Sequence, residues 1–183
     1  MAAPNLHNEA DRLKALSEYH LIDSAPEQAF DDLTTLAAQI CGCPIALISC
    51  IAETRQWFKS RLGLELSEIR REESFCSHAI ESPGELMIVA DATLDARFSE
   101  NRFVCGEPNV RFYAGAPLLA NSGHAIGSLC VFDRIPRRLA DEQEAALRII
   151  GRQVSYLLEL RRVSQTLATV LGTAGSGSTV RSP

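Results

Sequence analysis

A thiol and an imidazole stand two residues apart in the stretch SFCSHAI, Ser74 to Ile80. An imidazole beside a thiol lowers its pKa and raises its reactivity. Cys76 and His78 would share a face on a strand but not on a helix, so their pairing depends on the local backbone. A metal ion needs three or four ligands. Cys76, His78, Asp91 and Cys105 have the right donor atoms, but their spacing fits no zinc pattern, and no metal is expected. Arg97 and Arg111 could hold an anion through forked hydrogen bonds. Phe75, Tyr113 and Trp57 could stack on a flat ligand. A plainer use competes with these roles: Asp91 and Asp95 can cap a short helix, with Arg97 paired to one of them and Asn101 closing a turn. Arg111 points either inward or to solvent, and strand alternation alone does not choose.

These residues need a scaffold, and 183 residues suffice for one domain with a real core. The net charge of -5 argues against a nucleic-acid partner, which would call for a basic patch. No apolar run approaches the roughly 20 residues that span a bilayer, so no membrane partner is expected. The start, MAAPNLHNEADRL, has no secretory apolar segment, which predicts a cytoplasmic protein. Six cysteines in such a protein read mainly as packing residues, Cys50 and Cys130 lying inside strand-like apolar runs.

Asn8 is placed to cap a helix to about Ser17. Ser24-Ala25-Pro26-Glu27 reads as a capping box for a second helix, with Phe30, Leu33, Ala37 and Ile40 on one face and Gly42 as its stop. PIALISCIA, from Pro44, predicts a central strand covered on both faces. RQWFKS alternates and follows after a short turn, so it pairs antiparallel. LMIVAD gives another strand, and VRFYAGAPLLA with AIGSLCVFD forms a hairpin. A long helix starts near Asp141. Its stripe Leu147, Ile150, Val154, Leu157 is followed by a rotated one, Leu160, Val163, Leu167, Val170. The second stripe either meets the same helix of another chain or belongs to a fraying end. The fold class is α+β, an antiparallel sheet with helices grouped on one face.

The element order, together with RLKALSEYHLIDSAPEQAFDDLTTLAA, PIALISCI, RQWFKS, FCSHAI, VADATLDARFSENRFV, VRFYAGAPL and GSLCVFD, resembles the GAF domains that precede bacterial histidine kinases and diguanylate cyclases. The resemblance spans about Arg12 to Arg161. It implies a central antiparallel sheet of five or six strands, terminal helices on one face, and two irregular segments covering a small-molecule pocket on the other. The pocket walls would then be Trp57, Phe75, Cys76, His78, Asp91, Asp95, Arg97, Arg111 and Tyr113. It implies residues 1–162 as one domain, 163–172 as a helix extension and 173–183 as a flexible tail, the chain ending where an output domain would begin. The implied partners are an unidentified small-molecule ligand, a second copy joined through the terminal helices, and a signalling kinase or cyclase. No cofactor is named by the resemblance.

The expected function is a non-catalytic sensory module, responding to a small molecule or to redox change at Cys76 or Cys105. Cyclase or phosphodiesterase chemistry would need clustered carboxylates holding metals, whereas the acidic residues here fall mostly on helices and caps. TAGSGST lacks the lysine of a phosphate loop. One enzymatic alternative follows from the resemblance: free methionine-R-sulfoxide reductases are also GAF domains, and Cys105 and Cys76 fall on roughly the segments that carry their nucleophile and resolving cysteines. The wording of FCSHAI and RFYAGAPL follows the signalling group instead, and no third cysteine lies between Gly63 and Phe75. A regulatory Cys76–Cys105 disulfide and a ligand-free interaction module are further alternatives.

Overall fold

A computed structural model describes residues 8–175. Helices α1 (Glu9–Glu18) and α2 (Gln28–Cys41) lead into strands β1 (Ile45–Ile51) and β2 (Arg55–Leu62). A short strand β3 (Glu68–Arg70), one 3-10 turn and the four-residue helix α3 (Cys76–Ala79) follow. Strand β4 (Met87–Val89), helix α4 (Arg102–Cys105), the hairpin β5 (Phe112–Leu119) and β6 (Ala125–Asp133), and the long helix α5 (Asp141–Gly175) complete the chain. The six strands form one antiparallel sheet in the order β3-β2-β1-β6-β5-β4.

The sheet separates two apolar layers. On one face α1, α2 and α5 pack Leu16, Phe30, Ala37, Leu147, Ile150 and Val154 against Ile48, Phe112, Ala114 and Ala116. On the other, Phe75, Ile80, Phe98, Phe103 and Val104 of the covering segments meet Leu47, Phe58, Tyr113 and Cys130. Every residue of β1 is buried, as its unbroken apolar run requires. Gly42 ends α2 in the left-handed region, at a φ of 62°.

Three local expectations change. The capping box does not form: α2 starts at Gln28, and Ser24 and Glu27 instead accept hydrogen bonds from Lys59 Nζ, at 2.9 and 2.6 Å. A buried ammonium demands those oxygens more strongly than a helix end open to water does. The strand β3 lies inside the segment expected to be irregular, because Ile69 anchors EIR beside β2. Along α5 the core stripe ends on Leu158, while Leu157 is only half-buried. The helix runs to Gly175, and residues 176–183, the rest of the expected tail, lie outside the described residues. No helix among the described residues is long and apolar enough to cross a membrane.

Candidate functional site

Between the sheet and its cover lies a cavity of about 40 Å³. Ile45 and Leu47 of β1 and Gln56 and Phe58 of β2 form its floor. Phe75, Phe103, Pro108 and Val110 form its roof and side. Glu73 sits at its edge, clasped by Arg70 and Arg102. Burial pushes the Glu73 carboxyl up, but the hydrogen bond from Arg70 and the charge of Arg102 outweigh it and hold the group below its ordinary range.

An aromatic cluster fills the space beside the cavity. Phe75 stacks on Phe98 with ring centroids 4.0 Å apart and leans on Tyr113 at 5.4 Å. Phe132 meets both Phe75 and Tyr113 edge-on. Tyr113 is fully buried, and its phenol depends on a neighbouring glycine: a Cβ at Gly115 would come within 2.0 Å of the Tyr113 hydroxyl. The hydroxyl is thereby free to reach 3.5 Å from Cys76 Sγ.

The structure sorts the nine residues expected to wall a pocket. Phe75 lines the cavity, and Cys76 and Tyr113 pack directly beside it. Trp57 does not join them. It belongs to the helix-side layer, because β2 turns Gln56 and Phe58 toward the cavity and Trp57 away. His78 lies half-buried against the Phe98 edge, its Nδ1 3.1 Å from Glu81. Burial lowers its pKa, against the opposing pull of Glu81. Arg97 and His78 border a separate polar groove of about 340 Å³ on the outer side of the cover.

Asp91, Asp95, Arg97 and Arg111 hold the cover together. Asp91 accepts from the Thr93 hydroxyl at 2.7 Å and from its N–H at 3.0 Å, an Asx turn that lowers its pKa. Asp95 accepts three hydrogen bonds from Arg97, two from the guanidinium and one from the backbone. Asn101 caps α4 through the Phe103 N–H. The Arg111 guanidinium donates to the carbonyls of Val104 and Val110 rather than entering the cavity.

Cys105 and Cys76, the pair of the reductase and disulfide alternatives, differ in their surroundings. Cys105 is exposed, and its Sγ donates to the Ser99 carbonyl. Cys76 turns toward the sheet, where its Sγ lies 3.5 Å from that of Cys130. Gln56 donates to the Cys76 sulfur at 3.2 Å through Nε2, while its Oε1 finds no hydrogen-bond partner. Sequence reasoning missed Gln56 and Phe58. Their signal was the parity of β2, once one residue of that strand is placed.

The family model described as "GAF domain" matches residues 25–158. The chain belongs to the GAF family. Solved GAF structures share the fold at low identity. The GAF domain of an Acinetobacter phosphoenolpyruvate-protein phosphotransferase has a TM-score of 0.63 at 17% identity, over 87% of this chain and 97% of that one. The blue-light-absorbing form of the Thermosynechococcus elongatus PixJ GAF domain scores 0.61 at 15% identity, over 93% and 98%. A type II free methionine-R-sulfoxide reductase from Thermoplasma acidophilum scores 0.59 at 14% identity, over 78% and 94%.

In sequence the chain is 41% identical, over 144 residues, to a cyclic di-GMP phosphodiesterase of Pseudomonas aeruginosa. The match covers 79% of this chain and 24% of that protein, so the chain spans about a quarter of its relative's length. This likeness overturns the expectation that the protein is no enzyme: it points to one. The expectation rested on a search for metal-holding carboxylates inside a stretch that corresponds to only a fraction of the relative.

Proposed function

We propose that this chain is the sensory GAF domain of a cyclic di-GMP phosphodiesterase, acting in the cytoplasm and adjusting that activity to a small molecule. The observation that carries the ligand reading is Gln56. It is 1% exposed, it borders an apolar cavity, and its Oε1 lacks a partner. A buried carbonyl oxygen without a donor costs roughly 1–3 kcal/mol. A small, mainly apolar molecule with one hydrogen-bond donor would satisfy it.

The cavity is too small for such a molecule unless Phe75 and Phe103 move. Binding therefore displaces the cover, and the ligand favours one of two arrangements of the domain. The far face of β5 seats α5: Gly151 lies so close to Ala116 that a Cβ there would approach within 2.9 Å, and Ser155 accepts from the Leu119 N–H. A shift of β5 thus reaches α5, whose extension over residues 163–172 joins a second copy.

Native mass spectrometry of the freshly purified chain tests this. The expected result is an added small-molecule mass that is lost on denaturation and absent from Val110→Phe, which fills the cavity. A bare mass, with no gain in thermal stability from any member of a metabolite panel, would overturn the ligand reading.

A further inference from the structure

The Cys76 and Cys130 sulfurs face each other 3.5 Å apart inside the molecule. Cys130 sits midway along β6, which pairs with β1 on one side and β5 on the other. Cys76 belongs to the single turn of α3 in the cover. The Cys76 sulfur accepts from Gln56 Nε2 at 3.2 Å and from the Tyr113 hydroxyl at 3.5 Å, with the Cys130 sulfur beside it. Hydrogen-bond donors favour a thiolate, against the opposing effect of the apolar core. Burial pushes the Cys76 thiol up, but hydrogen bonds from Cys130, Ser128, Tyr113 and Ser49 bring it below the ordinary thiol range. Burial and the neighbouring Cys76 push Cys130 the other way. One sulfur is prepared to attack, and the other keeps its proton.

We propose that Cys76 and Cys130 form a peroxide-responsive dithiol that closes into a disulfide between the cover and the centre of the sheet. The Cys76 thiolate attacks one oxygen of hydrogen peroxide. An S–O bond forms, the O–O bond breaks, and hydroxide leaves to take up the proton that Cys76 lost on ionising. Cys130 then gives up its proton and attacks the Cys76 sulfenic sulfur. The S–S bond forms, the S–O bond breaks, and a second water leaves. Two thiols lose two electrons, and the peroxide gains them.

Access selects the oxidant. Cys76 is 1% exposed, so a bulky reagent cannot reach it. Gln56 lines the cavity and also holds the sulfur, so one side chain separates the cavity from Cys76, and only a molecule of peroxide's size would pass when it moves. A disulfide bond measures about 2.05 Å, so the sulfurs must approach by roughly 1.5 Å. Two neighbouring strands fix β6, leaving α3 to move. Phe75, next to Cys76, is both a cavity wall and the stacking partner of Phe98. Oxidation therefore reshapes the cavity, and cavity occupancy in turn biases oxidation.

The test uses the full chain carrying Cys105→Ser, with wild type as a gauge of oxidant dose. Both are exposed to hydrogen peroxide, blocked under denaturing conditions and mapped without reduction. The expected result is an intact mass that carries two fewer blocking groups than the untreated protein, and a linked Cys76–Cys130 peptide that disappears on reduction. Adding Cys130→Ser should leave Cys76 as a sulfenic acid, which dimedone traps when the oxidised chain is unfolded in its presence. Free Cys76 and Cys130 thiols, at a dose that oxidises Cys105 in wild type, would overturn the proposal. So would a linked peptide that forms only after unfolding in urea.

Discussion

Lys59 Nζ lies 2.6 Å from Glu27 Oε1, and the lysine side chain is completely buried. Arg161 of α5 reaches the same oxygen at 2.7 Å. One carboxylate thus joins β2, the loop before α2 and the last helix. The Glu27 carboxyl is pushed up by burial and pulled down further by hydrogen bonds from Lys59 and Arg161, so it ionises more readily than a free glutamate.

Removing the two partners has unequal consequences. Glu27→Gln leaves the Lys59 ammonium with Ser24 and the Ala25 carbonyl but no countercharge. Uncompensated buried charges cost ~3–5 kcal/mol, and the partial exposure of Glu27 brings the expected loss to about 2 kcal/mol. Lys59→Met leaves Glu27 partly solvated and still paired with Arg161, so it should cost less. Urea denaturation at pH 7 checks this, and the reverse ranking would refute the assigned roles.

Acid should loosen the N-terminal helix first. Glu9 accepts from Arg12 at 2.7 Å and from Arg71 at 2.5 Å. Burial raises its pKa, yet those two arginines bring it down from 4.5 to about 2. A depressed folded-state pKa contributes stability that is complete above pH 4.5 and lost as the pH falls toward 2. The contribution is on the order of 2 kcal/mol after screening by solvent. Glu9→Gln should therefore flatten the fall in melting temperature across that window. An unchanged slope would remove Glu9 from the account.

The ridge beyond the core of α5 should govern association. Leu160 is 63% exposed and Leu167 57%. Glutamate at both positions should convert a dimer to a monomer in sedimentation analysis, while leaving the melting temperature of the domain within a few degrees. A wild-type chain that sediments as a monomer would count against this assignment.

Much of this architecture is readable from the chain. β1 announces itself by its unbroken apolar run, and the β5–β6 hairpin by two such runs around NSGH. The strand β3 does not, since in EIR only Ile69 is partly buried and hydrogen bonding to β2, not composition, makes it a strand. The places of Phe75 and Tyr113 beside the cavity were legible because aromatic side chains near a covering segment have few other places to go. Trp57 was not, because the side it takes depends on sheet parity. Cys130 read as packing inside a strand. Its relation to Cys76 arises from two segments 54 residues apart meeting on one face of the sheet, which no local pattern records.

One consequence follows from the length of α5. Its last core residue is Leu158, yet the helix continues to Gly175. Arg161 still holds Glu27 and the Tyr19 carbonyl, so at ~1.5 Å per residue the helix projects about 20 Å past its anchored portion. A rod held at one end is a lever arm: a tilt of about 5° at the sheet swings its tip by roughly 2 Å. A small rearrangement under the cover, passed on as a slight shift of β5, would thus arrive at the far end as a displacement comparable with a side-chain contact.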